Sequence, residues 1–376
     1  MKILFYLRIV VMGGAERYLL TLLPELKKRN IDVGFFCTQQ KNNTEIINYF
    51  KDHFDSYQIP VYVCPAASPL SLKAAKQLQQ TIVQGKYTIL SIHLIHAEII
   101  SVLSAMIFKT SCKLVTTKHG YFQKFMDVHG LDSCKINKLS LSYWVEKMMQ
   151  LFIADNFAVS KGLATFYTQT GICSPAKMKV IYHGMASSNN DHPNQAKRYS
   201  SNQILIIGRL RRFKGHHFLI EAMRLLTLTI PDIKLVILGK GEEYNRLKLL
   251  IDKYELSSWI IFEGFSDNVY NYINSCDIVV APSIAEAFGL VVLEAYSCTK
   301  PVVAFNVTAF NENIVDNETG CLAEPFSVKS LADKIDYLLQ HKTLAHQYGL
   351  NGQQLLKDKF SLQQSVDNTI KFFKAQ

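Results

Sequence analysis

The chain alternates between short apolar runs and longer stretches in which apolar residues recur every three or four positions. In the first half KILFYL, VGFFC, YTILSIH, KLVTTK, FAVS and KVIYH are apolar runs of strand length. Such runs suit strands covered on both faces, as in parallel sheets. Between several of them lie helical patterns such as GAERYLLTLLPELKKR and SLKAAKQLQQTIVQ. In the second half QILIIG, IKLVILG, WIIFEG, DIVVAP and KPVVAF follow the same rhythm. Repeated strand-helix-strand order predicts an α/β protein with doubly wound parallel sheets. The stretch ASSNNDHPNQAKRYSSN, residues 186–202, is polar and aperiodic and reads as a linker. The predicted organisation is one Rossmann-like domain over 1–187, a second over 188–359 and a last helix over 360–376. In that helix Ser361 and Gln364 make a capping box, and Leu362, Val366, Ile370 and Phe373 share a face. Ligands of doubly wound sheets bind beyond the carboxyl ends of the strands, so the two domains are expected to face each other across a cleft.

Composition narrows this picture. Of 376 residues, 48% are apolar and 19% charged, enough to fill two cores. The eight cysteines are scattered without a C-x-x-C pair, which offers neither a disulfide framework nor a zinc site and implies a reduced compartment. The opening MKILFYLRIV reads as a first strand rather than a signal peptide. The longest later apolar run, IISVLSAMIF at 99–108, is about half the length of a membrane-spanning helix. The expectation is a cytoplasmic protein, soluble or peripheral on the inner membrane face. The net charge of +10 is uneven: residues 1–190 carry 21 Lys+Arg against 11 acids, and the remainder 20 against 20. An excess confined to one half points to an anionic partner there, whether membrane, nucleic acid or substrate; a merely soluble basic surface is the plain alternative.

Candidate chemistry gathers after the strands of the second half. QILIIG leads into RLRRFKG (209–215), LVILG into KGEE (240–243), and DIVVAPS into IAEAFGL (284–290). In a parallel sheet these three loops share one edge. They bring Arg209, Lys214, Gly239 and Gly241 to a segment, Ala287-Phe288-Gly289-Leu290, that opens a helix. Cations beside free N–H groups at a helix start form an anion site, suited to two bridged phosphates. The same region holds Glu286 and Glu294 in the otherwise nearly apolar APSIAEAFGLVVLEAYSC. Unpaired buried carboxylates are costly, so these two either face solvent or hold something. Glu286 is expected in the turn before the helix and Glu294 two turns inside it, about 80° apart on the helical wheel. Carboxylates accept bidentately from vicinal hydroxyls of a ribose or hexose. Sugar, diphosphate and ribose together outline a nucleotide sugar.

GRLRRFKG, APSIAEAFGLVVLEA and IVDNETGCLAE together resemble the retaining nucleotide-sugar glycosyltransferases of family four, with the GT-B fold. In the first half, GGAERYLL (13–20) resembles the family's glycine-rich turn and first helix, and TKHGYF (117–122) its histidine loop; FAVSKGL and VIYHG are similar to further family strings. The resemblance implies that Glu294 holds the donor ribose and Glu286 the transferred sugar. It implies that Arg209 and Lys214 neutralise the diphosphate, and that Gly13 and Gly14 bring backbone close to phosphate and acceptor. His119 is implied to lie near the reacting sugar. Gly239, Phe265, Phe288, Gly289 and Leu290 complete the implied donor-binding set. His183 stands where many relatives have Asn. The last helix is implied to return to the first domain. No Asp-x-Asp string is present, and with two cations and a helix start available no metal or other cofactor is expected.

The function read from these residues is transfer of a hexose from a nucleotide diphosphate sugar to an acceptor hydroxyl. Retention rests on the resemblance alone. Uridine is favoured as the donor base and guanosine stays open. Residues 109–147 carry seven Lys against three acids, interleaved with aromatic and aliphatic residues, which suits an anionic lipid surface. The acceptor class is therefore a lipid-linked saccharide, polysaccharide or lipopolysaccharide core, with peripheral contact to anionic membrane. Rival readings are a GT-B epimerase or phosphorylase, or an inactive nucleotide-sugar-binding protein. A nucleic-acid partner is not expected, because the neutral half carries the motif-like residues and no RNA-recognition signature is present.

Overall fold

A computed structural model describes residues 1–39, 44–66, 68–110, 112–186 and 196–376. Residues 187–195 of the expected linker lie outside the described residues. The chain forms two compact units.

Unit 1 comprises residues 1–120, 132–183 and 364–376. Its strands are β1 (Lys2–Ile9), β2 (Asp32–Gln39), β3 (Val61–Pro65), β4 (Ile89–His93), β5 (Lys113–Lys118), β6 (Asp155–Ala158) and β7 (Met178–Val180). All pair in parallel, in the order β3-β2-β1-β4-β5-β6-β7. Helices α1 (Gly14–Lys28), α2 (Thr44–Asp55), α3 (Leu72–Gly85) and α4 (Ile95–Phe108) connect the first strands. After α5 (Gln123–His129), which belongs to unit 2, come α6 (Leu141–Met149) and α7 (Lys161–Gln169). Strands β1 and β4 are buried over nearly their whole length, so no polar alternation marks them.

Unit 2 comprises residues 121–131 and 184–363. It contains β8 (Gln203–Ile207), β9 (Lys234–Leu238), β10 (Ile260–Gly264), β11 (Ile278–Ala281), β12 (Val302–Phe305) and β13 (Gly320–Ala323). These too are parallel, in the order β10-β9-β8-β11-β12-β13. Between them run α8 (His216–Thr229), α9 (Tyr244–Lys253), α10 (Val269–Ser275), α11 (Leu290–Ser297) and α12 (Phe310–Asn313), followed by α13 (Val328–Gln340) and α14 (Lys342–Lys359). Ile204, Ile206, Leu235, Ile237, Val280 and Phe305 fill the core beneath α8 and α13. The final helix, α15 (Leu362–Lys374), packs in unit 1, with Val366, Phe372 and Phe373 buried and Phe373 edge-on to Phe5 at 5.7 Å.

The inclusion of residues 121–131 in unit 2 is not foreshadowed by chain order. Met126 of α5 packs with Phe213 and Ala285, and the Phe213 N–H donates to the Asp127 carboxylate at 3.4 Å. In both sheets the strand order reverses beside the first strand, between β1 and β4 and between β8 and β11. Loops leaving adjacent strands diverge there, which opens a ligand crevice at the carboxyl ends.

Candidate active site

In unit 2 the loops after β8, β9 and β11 are stitched together by main-chain bonds. The Leu210 N–H donates to the Lys240 carbonyl at 3.0 Å, and the Glu243 N–H to the Leu210 carbonyl at 3.1 Å. The Ile284 N–H donates to the Phe213 carbonyl at 2.7 Å. Gly215 makes this last approach possible: its φ is +72°, and a Cβ there would sit 1.7 Å from the Pro282 carbonyl oxygen. Gly239, at the end of β9, lies equally tight, since a Cβ would meet the Gly208 carbonyl oxygen at 1.9 Å.

This stitching delivers Lys214 to Glu286. The Lys214 ammonium is ion-paired with Glu286 Oε1, which also accepts from the Ser283 hydroxyl at 2.9 Å. The two side chains are 22% and 11% exposed, so the pair is largely desolvated yet reachable. Arg209 is exposed at the same edge and makes no ion pair among the described residues. Arg211 is engaged with Glu242. Directly after Lys214 and Gly215 comes His216, buried, with neither ring nitrogen hydrogen-bonded among the described residues. Burial, reinforced by the Lys214 charge, pushes its pKa down to about 3.

Gly289, at φ +81°, ends the loop after β11 and caps α11; a Cβ there would meet the Phe310 ring at 2.7 Å. The first N–H groups of α11 have no partner within the helix, as at any helix start. Glu294 is the fifth residue of α11, so it lies little more than one turn inside the helix, not the two turns expected. It is buried on a helix whose neighbours Val292, Leu293 and Ala295 are buried as well. The Phe288 ring is buried edge-on to Phe360 at 5.8 Å, so what this residue can offer a ligand is its main chain. Leu290 is half-buried, and Phe265, just after β10, is half-exposed. Asp316, in the IVDNETGCLAE string, accepts from the Leu322 N–H at 2.8 Å and closes the turn into β13.

In unit 1 the candidate residues also sit at strand ends. Gly13 precedes α1 in extended conformation, φ −138°, and its N–H donates to the Glu16 carboxylate at 3.1 Å. Gly14, exposed, opens the helix. One turn on, Tyr18 meets His119 edge-on at 5.6 Å and His183 at 4.2 Å between ring centroids. His119, just after β5, stacks on His183 at 5.4 Å, and its Nε2 is 2.8 Å from His93 Nδ1. His93 Nε2 in turn lies 3.2 Å from the Ser91 hydroxyl. Three imidazoles thus share one site. Burial pushes the pKa of His119 down to about 3. Burial, then the charge of the neighbouring imidazoles, lowers His93 and His183 well below the usual histidine range. At neutral pH the cluster is uncharged, so His119 can accept or donate hydrogen bonds but is no reservoir of positive charge.

One lysine of the basic segment 109–147 is internal. Lys118 is buried, bonded to both oxygens of Glu98 at 2.7 and 3.0 Å and lying 3.5 Å from Glu146. Its ammonium also lies 4.8 Å from the centre of the Tyr167 ring, and the Tyr167 hydroxyl donates to the Gly120 carbonyl at 2.9 Å, bracing the histidine loop. The segment is therefore not a single basic surface: Lys118 is withdrawn from it and residues 121–131 pack in unit 2. The sequence reading missed the Glu98–Lys118–Glu146 cluster, the role of Ser283 beside Glu286, and His216. Only the last had a local signal, its place next to the Lys-Gly pair.

The family model described as Glycosyltransferase Family 4 matches residues 12–188, and the one described as Glycosyl transferases group 1 matches residues 187–355. The capsular polysaccharide biosynthesis glycosyltransferase CapM of Staphylococcus aureus is 26% identical over 62% of this chain and 64% of its own. An alpha-D-kanosaminyltransferase of Streptomyces kanamyceticus is 32% identical over 44% of this chain, and the match spans 43% of it. The chain thus spans less than two thirds of either relative. The N-acetylgalactosamine-N,N'-diacetylbacillosaminyl-diphospho-undecaprenol 4-alpha-N-acetylgalactosaminyltransferase of Campylobacter jejuni is 26% identical over 89% of both chains. Among solved structures, Anabaena HepE in complex with UDP-glucose superposes with a TM-score of 0.84 at 22% identity, over 100% of both chains.

Proposed function

The chain belongs to glycosyltransferase family 4, with two Rossmann-like units of the GT-B fold, and on that premise we propose that it moves a hexose from a UDP-sugar to a hydroxyl of a lipid-linked saccharide or polysaccharide acceptor, with retention at the anomeric carbon. The observation that carries this reading is the Lys214–Glu286 pair, anchored by Ser283 at the strand-order reversal of unit 2. A cation and a carboxylate held together there suit a substrate whose phosphate and sugar are adjacent.

In this reading Arg209 and Lys214 take the charge that develops on the departing diphosphate, and the start of α11 adds the N–H groups of Leu290 and Val291. Glu294 accepts from the ribose hydroxyls, and Glu286 from hydroxyls of the transferred sugar. The acceptor oxygen bonds to the anomeric carbon on the face from which the diphosphate leaves. The bond from that carbon to phosphate breaks, and the acceptor proton passes to the leaving phosphate oxygen. In unit 1, Gly13, Gly14 and His119 are the groups that the resemblance assigns to phosphate, acceptor and reacting sugar. A neutral His119 fits hydrogen bonding to a sugar hydroxyl better than proton donation. The charge of the diphosphate is met by side chains and a helix start, so no metal is required in this scheme.

UDP is favoured because the HepE structures contain UDP or UDP-glucose, and a lipid-linked or polysaccharide acceptor because the CapM and Campylobacter relatives bear such names. Peripheral contact with anionic membrane on the cytoplasmic side goes with that acceptor class. The reading is tested by a thermal-shift and hydrolysis screen over UDP- and GDP-sugars. A UDP-sugar that both stabilises the protein and is slowly hydrolysed is expected; a response confined to GDP-sugars would overturn the base assignment, and no response to either would overturn the reaction.

A further inference from the structure

Helix α6 is amphipathic with the polarity reversed. Its inward face carries Tyr143, Glu146 and Met149, all buried, with the Tyr143 hydroxyl donating to the Thr170 carbonyl at 3.1 Å. Its outward face carries Leu141, Trp144, Val145 and Met148, and the stripe continues through Leu151 and Phe152 just beyond the helix; these six are 39–80% exposed. Positions 141, 144, 145 and 148 fall within about 100° of the helical wheel, the arc a core-facing helix normally buries. Leu139, in the approach to the helix, is 92% exposed. A continuous apolar stripe left in water marks a contact surface.

The charges around the stripe say what covers it. Between residues 132 and 152 the solvent-facing ionic groups are Lys135, Lys138, Lys147 and Asp132, because Glu146 points inward to Lys118. The Lys147 ammonium lies 5.4 Å from the Trp144 ring centre and 5.7 Å from that of Tyr143, at the flank of the stripe. Exposed apolar side chains flanked by Lys147 on the Trp144 ring, with two further exposed lysines earlier in the same segment, match the boundary between acyl chains and anionic headgroups. No helix among the described residues is long and apolar enough to cross a membrane, so the contact is interfacial.

We propose that α6 and its flanks, residues 139–152, are a monotopic membrane anchor: the Leu141–Phe152 stripe inserts among the lipids of an anionic bilayer while Lys135, Lys138 and Lys147 contact lipid phosphates. This deepens the lipid-linked acceptor reading and rests on it for its purpose. It also changes the expected behaviour. A purely electrostatic patch is released by salt, whereas an inserted stripe is retained in part, because burial of apolar surface is not screened.

The test uses the full chain with Trp259→Phe, which leaves Trp144 as the only one of two tryptophans and so a reporter of this helix. Vesicles of phosphatidylcholine, with and without phosphatidylglycerol, are added at low and high salt. Expected are co-sedimentation with the anionic vesicles, a blue-shifted Trp144 emission quenched by brominated acyl chains, and partial retention at high salt. Leu141→Ser with Met148→Ser should weaken binding by about tenfold or more, since each large apolar side chain withdrawn from water is worth at least that. Lys135→Ala, Lys138→Ala and Lys147→Ala together should remove the preference for anionic lipid and leave the emission shift at high lipid concentration. Emission unchanged by anionic vesicles at low salt would overturn the proposal. So would a blue shift without vesicles that follows protein concentration, which would assign the stripe to a second copy of this chain. UDP-sugar binding, measured in parallel, should be unchanged in all these variants; its absence from the wild type would defeat the donor reading and leave the vesicle result standing.

Discussion

Replacing Glu146 by Gln is expected to stabilise the protein at pH 8 and to change little at pH 5. The Glu146 carboxyl lies on the inner face of α6, 3% exposed, in a cluster of two carboxylates and one ammonium. Lys118 is already satisfied by Glu98 at 2.7 Å, whereas Glu146 stands 3.5 Å away. Burial, with the Glu98 charge added, outweighs the pull of Lys118 and raises the Glu146 pKa from 4.5 to about 7. A carboxyl whose pKa is raised on folding holds its proton more tightly in the native state. Its contribution is fully present below the unfolded value and is lost as pH climbs to 7. That span corresponds to about 3 kcal/mol of destabilisation once the group is ionised. Gln keeps the shape and removes the charge, so by pH 8 the variant should gain roughly 3 kcal/mol, or about 6–12 °C in the Tm of a unit this size. At pH 5 the wild-type carboxyl is protonated and the two proteins should melt together. Removing Lys118 instead strands two carboxylates and should cost about 3–5 kcal/mol at neutral pH. Scanning calorimetry of wild type and Glu146→Gln at the two pH values decides the matter. A variant less stable than wild type by the same amount at both would show that Glu146 is held as an ordinary ionised partner of Lys118.

The buried imidazoles predict the opposite trend with acid: His93, His183 and His216 are held neutral by burial, so their contribution is complete above about pH 6.5 and is lost progressively as pH falls below it. In the Glu146→Gln background the Tm should therefore fall steadily from pH 7 to pH 5, and a flat profile would refute neutral burial. Lys214→Ala should lower transfer by about 10²–10³ at saturating donor, the usual cost of losing a group that stabilises developing charge. Its stability should fall by up to about 3 kcal/mol, since Glu286 loses its cation in a largely desolvated site, and the protein should still fold; near wild-type turnover would remove Lys214 from the reaction. Gly215→Ala, which forces a Cβ onto the Pro282 carbonyl, should abolish transfer by displacing Lys214 while circular dichroism still shows a folded protein; unaltered kinetics would contradict the stitched-loop account. Activity should survive EDTA, and its loss with rescue by manganese would refute the metal-free scheme.

Much of the fold is legible in the sequence because parallel strands covered on both faces are unbroken apolar runs. The strands that escaped notice, β3 and β13, are edge strands. β3 is only half-buried and proline-bounded, and β13 is four residues long. The loops carrying Arg209, Lys214 and Glu286 are legible as strand-end segments, since topology alone sends them to one edge. What they do there is not: the ion pair depends on Gly215 allowing two loops to touch, a contact between residues 67 positions apart. His119 and His183 stand out singly in the sequence, but no local pattern announces that they stack on each other or that His119 meets His93. Glu98, Lys118 and Glu146 come together from α4, β5 and α6, and the inward turn of Glu146 exposes an apolar stripe that periodicity alone would have assigned to the core.

The two carboxylates flanking the start of α11 are expected to hold different parts of one nucleotide sugar. Titration calorimetry with UDP and with the donor UDP-sugar, on wild type, Glu294→Ala and Glu286→Ala, paired with transfer rates at saturating donor, tests it most directly. Loss of a hydrogen-bonded carboxylate costs about 1.5–3 kcal/mol, so Glu294→Ala should weaken UDP binding roughly tenfold to a hundredfold. Glu286→Ala should bind UDP like the wild type and lose transfer. Equal UDP affinity in all three proteins, with transfer intact in the Glu286 variant, would show that neither carboxylate holds the donor.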